Sequence, residues 1–143
     1  MRTWLLPENG NFYKANLHCH SVISDGWLTP EELREAYKAQ GYSIVAYTDH
    51  AVLIPHNDLR QEDFLPLNGY ELDFNQPKTS DKSTKTCHIC FVSLDENRTV
   101  QRIFYDSRHL RKNLENADLD PAREYLQREY SPEAISTLFL ISM

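Results

Sequence analysis

Apolar and polar positions along the first two-thirds of the chain change period twice, and the changes predict a strand, a helix and a second strand. Residues 13–19 (Tyr-Lys-Ala-Asn-Leu-His-Cys) read as a short buried strand, and His18 and His20, two apart near its end, face the same side of an extended chain. Asp25-Gly26 is a turn signal. Thr29-Pro30-Glu31-Glu32 opens a helix, with Thr as N-cap, proline in the first turn and Glu three residues after the cap. Leu33, Ala36, Tyr37 and Gln40 keep helical spacing, and Gly41 is placed to end it. Residues 43–47 (Ser-Ile-Val-Ala-Tyr) form a second strand, apolar enough to be central, that runs into Thr48-Asp49-His50. Residues 64–72 and 87–94 predict a third and a fourth strand, separated by a polar loop over 75–86. Beyond 105 the pattern turns helical, with starts at Ser107, Asp120-Pro121 and Ser131-Pro132-Glu133.

A strand, a crossover helix and a parallel strand make a βαβ unit, and the fold class is α/β. In such folds active sites gather past the C-terminal ends of the strands, where this chain places its polar residues. With 143 residues, 41% hydrophobic and 25% charged, the chain has the balance of one globular domain over 1–143. The formal net charge of −6 disfavours unspecific binding to nucleic acid or an anionic membrane. No apolar run reaches the length of a membrane span, and the first ten residues do not read as a signal peptide. Three cysteines, Cys19, Cys87 and Cys90, suit reduced thiols in a cytoplasmic protein. The glycosylation pattern at Asn97-Arg98-Thr99 is a chance match on that view.

Six residues carry the candidate chemistry: His18, His20, Asp25, His50, Glu71 and His88. Each falls at or just after a predicted strand or in the loop leaving it. Imidazole and carboxylate donors suit Zn, Mn or Fe, and carboxylates can bridge two ions. One such histidine alone is more often structural; recurrence at successive strand ends of one fold makes the set a candidate metal and catalytic site. Asp49 is placed to accept a ring N–H from a ligating histidine and fix its tautomer. His56, in the loop after the second strand, is placed to contact substrate.

The segment Asn16-Leu17-His18-Cys19-His20-Ser21-x-x-Ser24-Asp25-Gly26 resembles the first motif of the PHP (polymerase and histidinol phosphatase) domain. Thr48-Asp49-His50 resembles the second, Gly69-Tyr70-Glu71 the third, and His88 fits the next ligand, so the likeness covers about 14–94. It implies a distorted (β/α)7 barrel with up to three divalent ions at its C-terminal mouth, and hydrolysis of phosphate esters by hydroxide generated at those ions. It also implies that His18 and His20 hold one ion, Asp25 and His50 a second and His88 a third, with Glu71 bridging the first and third. The substrate implied is a phosphorylated small molecule.

The sequence departs from that pattern in its second half. A complete PHP domain supplies a further histidine and an Asp-x-His pair, whereas after His88 this chain has only His109. The expectation is therefore a partial barrel of about four strands with flanking helices, an N-terminal piece of a longer domain. Its alternatives are a compact open sheet, a barrel completed by a second chain, or a catalytically incomplete remnant. Cys87-His88-Ile89-Cys90 lacks the second thiol pair of a structural zinc site, and alternation puts Cys87 and His88 on opposite faces. Cys19 should point into packing. Lys78, Lys82 and Lys85 read as a solvated loop, and Arg108, Arg111 and Lys112 as a solvated helical face.

Overall fold

A computed structural model describes residues 9–75 and 86–97, together with 103–104, 124–125, 131, 133 and 136. Its centre is a four-stranded sheet in the order β1-β2-β3-β4, built from Ala15–Cys19, Ile44–Tyr47, Leu65–Asn75 and Thr86–Val92. The first three strands run parallel, and β4 returns antiparallel along β3. The polar segment at 76–85 and most of the chain beyond 97 lie outside the described residues. One expectation there changes. Glu124–Tyr125 (β6), inside the helix expected from Asp120, pairs in parallel with Ile103–Phe104 (β5). The expected start at Ser131 is matched by helical backbone at Glu133 and Ser136.

The crossover helix is α1, Pro30–Ala39, and its ends follow from local chemistry. Thr29 Oγ1 accepts from Glu32 N (3.2 Å) while Glu32 Oε2 accepts from Thr29 N (2.9 Å), closing a capping box. At the other end Gly41 adopts φ +78°, and Gly41 N and Tyr42 N donate to the carbonyls of Lys38 and Tyr37. The Tyr37 and Tyr42 rings meet edge to face at 5.1 Å, the apolar contact that completes this stop. Among the described residues the architecture is a partial barrel sheet with α1 packed on it; a full (β/α)7 barrel is not shown.

Two apolar layers hold the sheet. Cys19, Leu33, Val45, Tyr47, Leu59 and Phe64 pack the helix onto β1 and β2. Tyr70, Leu72 and Phe74, every second residue of β3, pack with Ala51 and Leu53 and against Cys87, Ile89 and Phe91 of β4. Alternation then sends Glu71 and, across the ladder, His88 and Cys90 to the opposite face.

His56 belongs to the first layer and not to an open loop above the site. It is buried, its ring 4.6 Å from that of Tyr47, and its backbone N–H donates to Asn68 Oδ1 at 2.9 Å. Its Nε2 is buried without a hydrogen-bond partner among the described residues. Burial holds the imidazole below its ordinary value of 6.5, against the weaker opposing pull of Asp49, Asp58 and Glu31. The unfolded chain takes up this proton at pH 6.5 and the folded chain resists it, so the contribution is intact above pH 6.5 and stability falls as pH drops below. Denaturant titrations from pH 7.5 to 5 should show a shallower fall in His56→Phe than in the parent. The difference is bounded by one proton, about 1.4 kcal/mol per pH unit.

Candidate metal centre

The site forms where β1, β2 and β3 end. Past Cys19 the chain turns tightly: Gly26 N donates to Ser21 O at 2.8 Å, and a Cβ on Gly26 would stand 2.2 Å from the His20 carbonyl oxygen. Only glycine lets the loop fold back far enough to bring Asp25 beside His20. Asp49 holds the same loop from β2, accepting from Ser21 N (2.8 Å), Ser21 Oγ (2.8 Å) and Ser24 Oγ (2.6 Å). Its partners among the described residues are thus serines, in place of the expected imidazole. Beyond β2, His50 bridges to Glu71 in parallel register, with Glu71 N donating to Asp49 O and Ala51 N to Glu71 O. Ala51 sits at φ +56°, a left-handed conformation that turns the chain sharply away after His50.

Glu71 is the hub. Its side chain is 4% exposed, and Oε2 lies 3.0 Å from both His20 Nε2 and His50 Nδ1. Oε1 lies 2.9 Å from His88 Nδ1 and 3.9 Å from His18 Nε2. Asp25 reaches in from the loop, with Oδ1 2.7 Å from His20 Nδ1 and Oδ2 3.4 Å from His50 Nε2. His18 Nδ1 lies 2.7 Å from Thr48 Oγ1, which fixes the ring against β2. All six candidate residues therefore converge on one rim.

This donor set fits a cation. His20 Nε2 and Glu71 Oε2 are buried and 3.0 Å apart, yet neither makes a hydrogen bond among the described residues. Two bare acceptors held this way in a dry site are costly unless a positive charge lies between them. Donors on a four-coordinate ion with bonds of about 2.0–2.3 Å stand roughly 3.3–3.8 Å apart. The donor atoms of His20, His50 and Glu71 all lie within 4.8 Å of one another.

Sequence reasoning left Cys90 outside the site. Its donor atom and those of His18 and Glu71 also lie within 4.8 Å of one another, and Cys90 Sγ is 3.2 Å from His18 Nδ1. The signal was available: Cys90 is two residues from His88 on one strand, hence on the same face. Although the residue is exposed overall, partial desolvation of the sulfur and the neighbouring Glu71 carboxylate push its thiol above the ordinary range. Cys19 differs from it. It packs beneath β2, donates to Ala46 O, and burial with the Asp49 charge pushes it up to about 12, a structural thiol.

The family model of the PHP domain matches residues 16–141. This chain belongs to the PHP domain family. The match runs past the last recognisable motif at His88 and takes in most of the second half. A 37-residue segment is also 51% identical to a 5′-3′ exoribonuclease of Haemophilus influenzae. That segment is 26% of this chain and 14% of the relative's length. The PHP family in general consists of metal-dependent hydrolases, and the converging histidines and Glu71 are candidate ligands of that kind. No helix among the described residues is long and apolar enough to cross a membrane.

Proposed function

We propose that this PHP domain hydrolyses phosphate esters with divalent ions held by His18, His20, Asp25, His50, Glu71 and His88. The observation that carries the reading is the pair of buried, unpartnered donor atoms, His20 Nε2 and Glu71 Oε2, at the centre of the six. When bound, zinc, manganese or iron supplies Lewis acidity and eases ionisation of water near neutral pH. The residues do the rest. Glu71 links the His20/His50 side of the site to the His18/His88 side and would offer one oxygen to an ion on each side. Asp25 accepts from His20 Nδ1–H, which fixes the tautomer and leaves Nε2 as the donor atom. Thr48 Oγ1 does the same for His18 Nδ1. The layer of Tyr70, Leu72 and Phe74 holds β3 rigid behind Glu71.

The test is elemental analysis of the purified chain beside hydrolysis of a generic aryl phosphate with added manganese or zinc. The His18→Ala, His20→Ala double variant should lose bound metal, and its rate should fall by at least about 100-fold. Full activity in that variant overturns the reading. Metal uptake by the parent without hydrolysis would favour the alternative of a binding domain that needs further chain or a partner for activity. A second reading, in which the substrate is the 5′ end of an RNA strand, draws on the 51% identity to the exoribonuclease segment. The net charge of −6 weighs against it. Release of mononucleotides from a 5′-phosphorylated oligoribonucleotide faster than phosphate from the aryl ester would favour it.

A further inference from the structure

We propose that Cys90 is a metal ligand, giving the ion position shared by His18 and Glu71 a mixed nitrogen, oxygen and sulfur donor set. The inference rests on the metal-binding reading above and adds to it a donor of a different chemical class. Two observations carry it. First, the placement is built into the sheet: Cys90 is the cross-strand partner of Glu71 in the β3–β4 ladder, so its side chain stands on the face that carries the carboxylate. Second, the Cys90, His18 and Glu71 donor atoms lie within 4.8 Å of one another, with Cys90 Sγ 3.2 Å from the His18 ring. The Glu71 oxygen nearest His18 is Oε1, 3.9 Å from His18 Nε2 and 2.9 Å from His88 Nδ1.

A thiol binds a divalent ion as thiolate, so the S–H proton leaves to solvent as the sulfur–metal bond forms. Thiolate is a soft donor. It favours zinc and cobalt over manganese and magnesium, which suit oxygen ligands. An imidazole-and-carboxylate site already favours zinc over manganese, and Cys90 widens that preference. The other described thiols are placed elsewhere. Cys87 packs against the Tyr70, Leu72 and Phe74 layer, and Cys19 is buried with α1.

The full chain is loaded with cobalt(II) as parent, Cys90→Ser and Cys87→Ser. Sulfur bound to cobalt gives a charge-transfer band in the near ultraviolet, whereas imidazole and carboxylate ligands give only the weaker visible bands. The expected result is the near-ultraviolet band in the parent and in Cys87→Ser, and its loss in Cys90→Ser with the visible bands retained. In competition, Cys90→Ser should weaken zinc by about 10–100-fold and change manganese by less than about threefold. Visible bands without the charge-transfer band in the parent would overturn the role of Cys90 and leave the metal reading standing. No cobalt bands in any protein would overturn both. Cys90 is exposed, so the serine variant is expected to fold.

Discussion

Glu71→Gln should strip the protein of bound metal and lower metal-dependent aryl phosphate hydrolysis by about three orders of magnitude. Glutamine keeps the shape of the side chain and loses its charge. In the parent one carboxylate oxygen faces His20 and His50 and the other faces His88 and His18, so a single change weakens both ion positions. Stability separates this effect from misfolding. In excess chelator the variant should be at least as stable as the parent, because it no longer buries a carboxylate with an unpartnered oxygen. Added zinc should stabilise only the parent, by about 2.7 kcal/mol when free metal is a hundredfold above its dissociation constant. Thermal melts with and without metal measure this directly. A variant that keeps the metal-induced shift would show that Glu71 is not the hub.

Much of this site was readable before any coordinates because its ligands sit at strand ends, where period and punctuation are strongest. The capping box at Thr29 and the stop at Gly41 bounded the crossover helix, and that fixed β1 and β2 as parallel neighbours with His18, His20 and His50 at one rim. The residues misread are those whose role depends on contacts between elements. His56 follows Pro55 in a loop with no strand or helix period, yet Asn68 on β3 draws its backbone inward and Tyr47 covers its ring. Asp49 lies beside a histidine in sequence but answers to serines more than twenty residues away. Cys90 was judged against zinc motifs that need paired thiols, while its role comes from the residue opposite it in the ladder. Pairing across strands is long-range information, and local pattern does not carry it.

Asp49→Ala should be the most damaging single change to the fold of the site, costing about 3–5 kcal/mol of stability. The carboxylate is 2% exposed and accepts three hydrogen bonds, from one backbone N–H and two serine hydroxyls. Truncation leaves the Ser21 N–H and the hydroxyl of fully buried Ser21 without their acceptor. Ser21 also accepts from Ile23 N at 3.1 Å, so the loss passes along the turn that carries Asp25. Asp49→Asn should cost less than half as much, since its amide oxygen still accepts from Ser21 N and Ser24 Oγ. Urea titrations in chelator isolate this folding term from metal linkage. With metal present, the alanine variant should also bind zinc about 10–100-fold more weakly, because Asp25 and His20 lose the anchor that aims them. A cost under about 1 kcal/mol would mean that the turn is held by Gly26 and its backbone bonds alone, and that Asp49 is dispensable to the site.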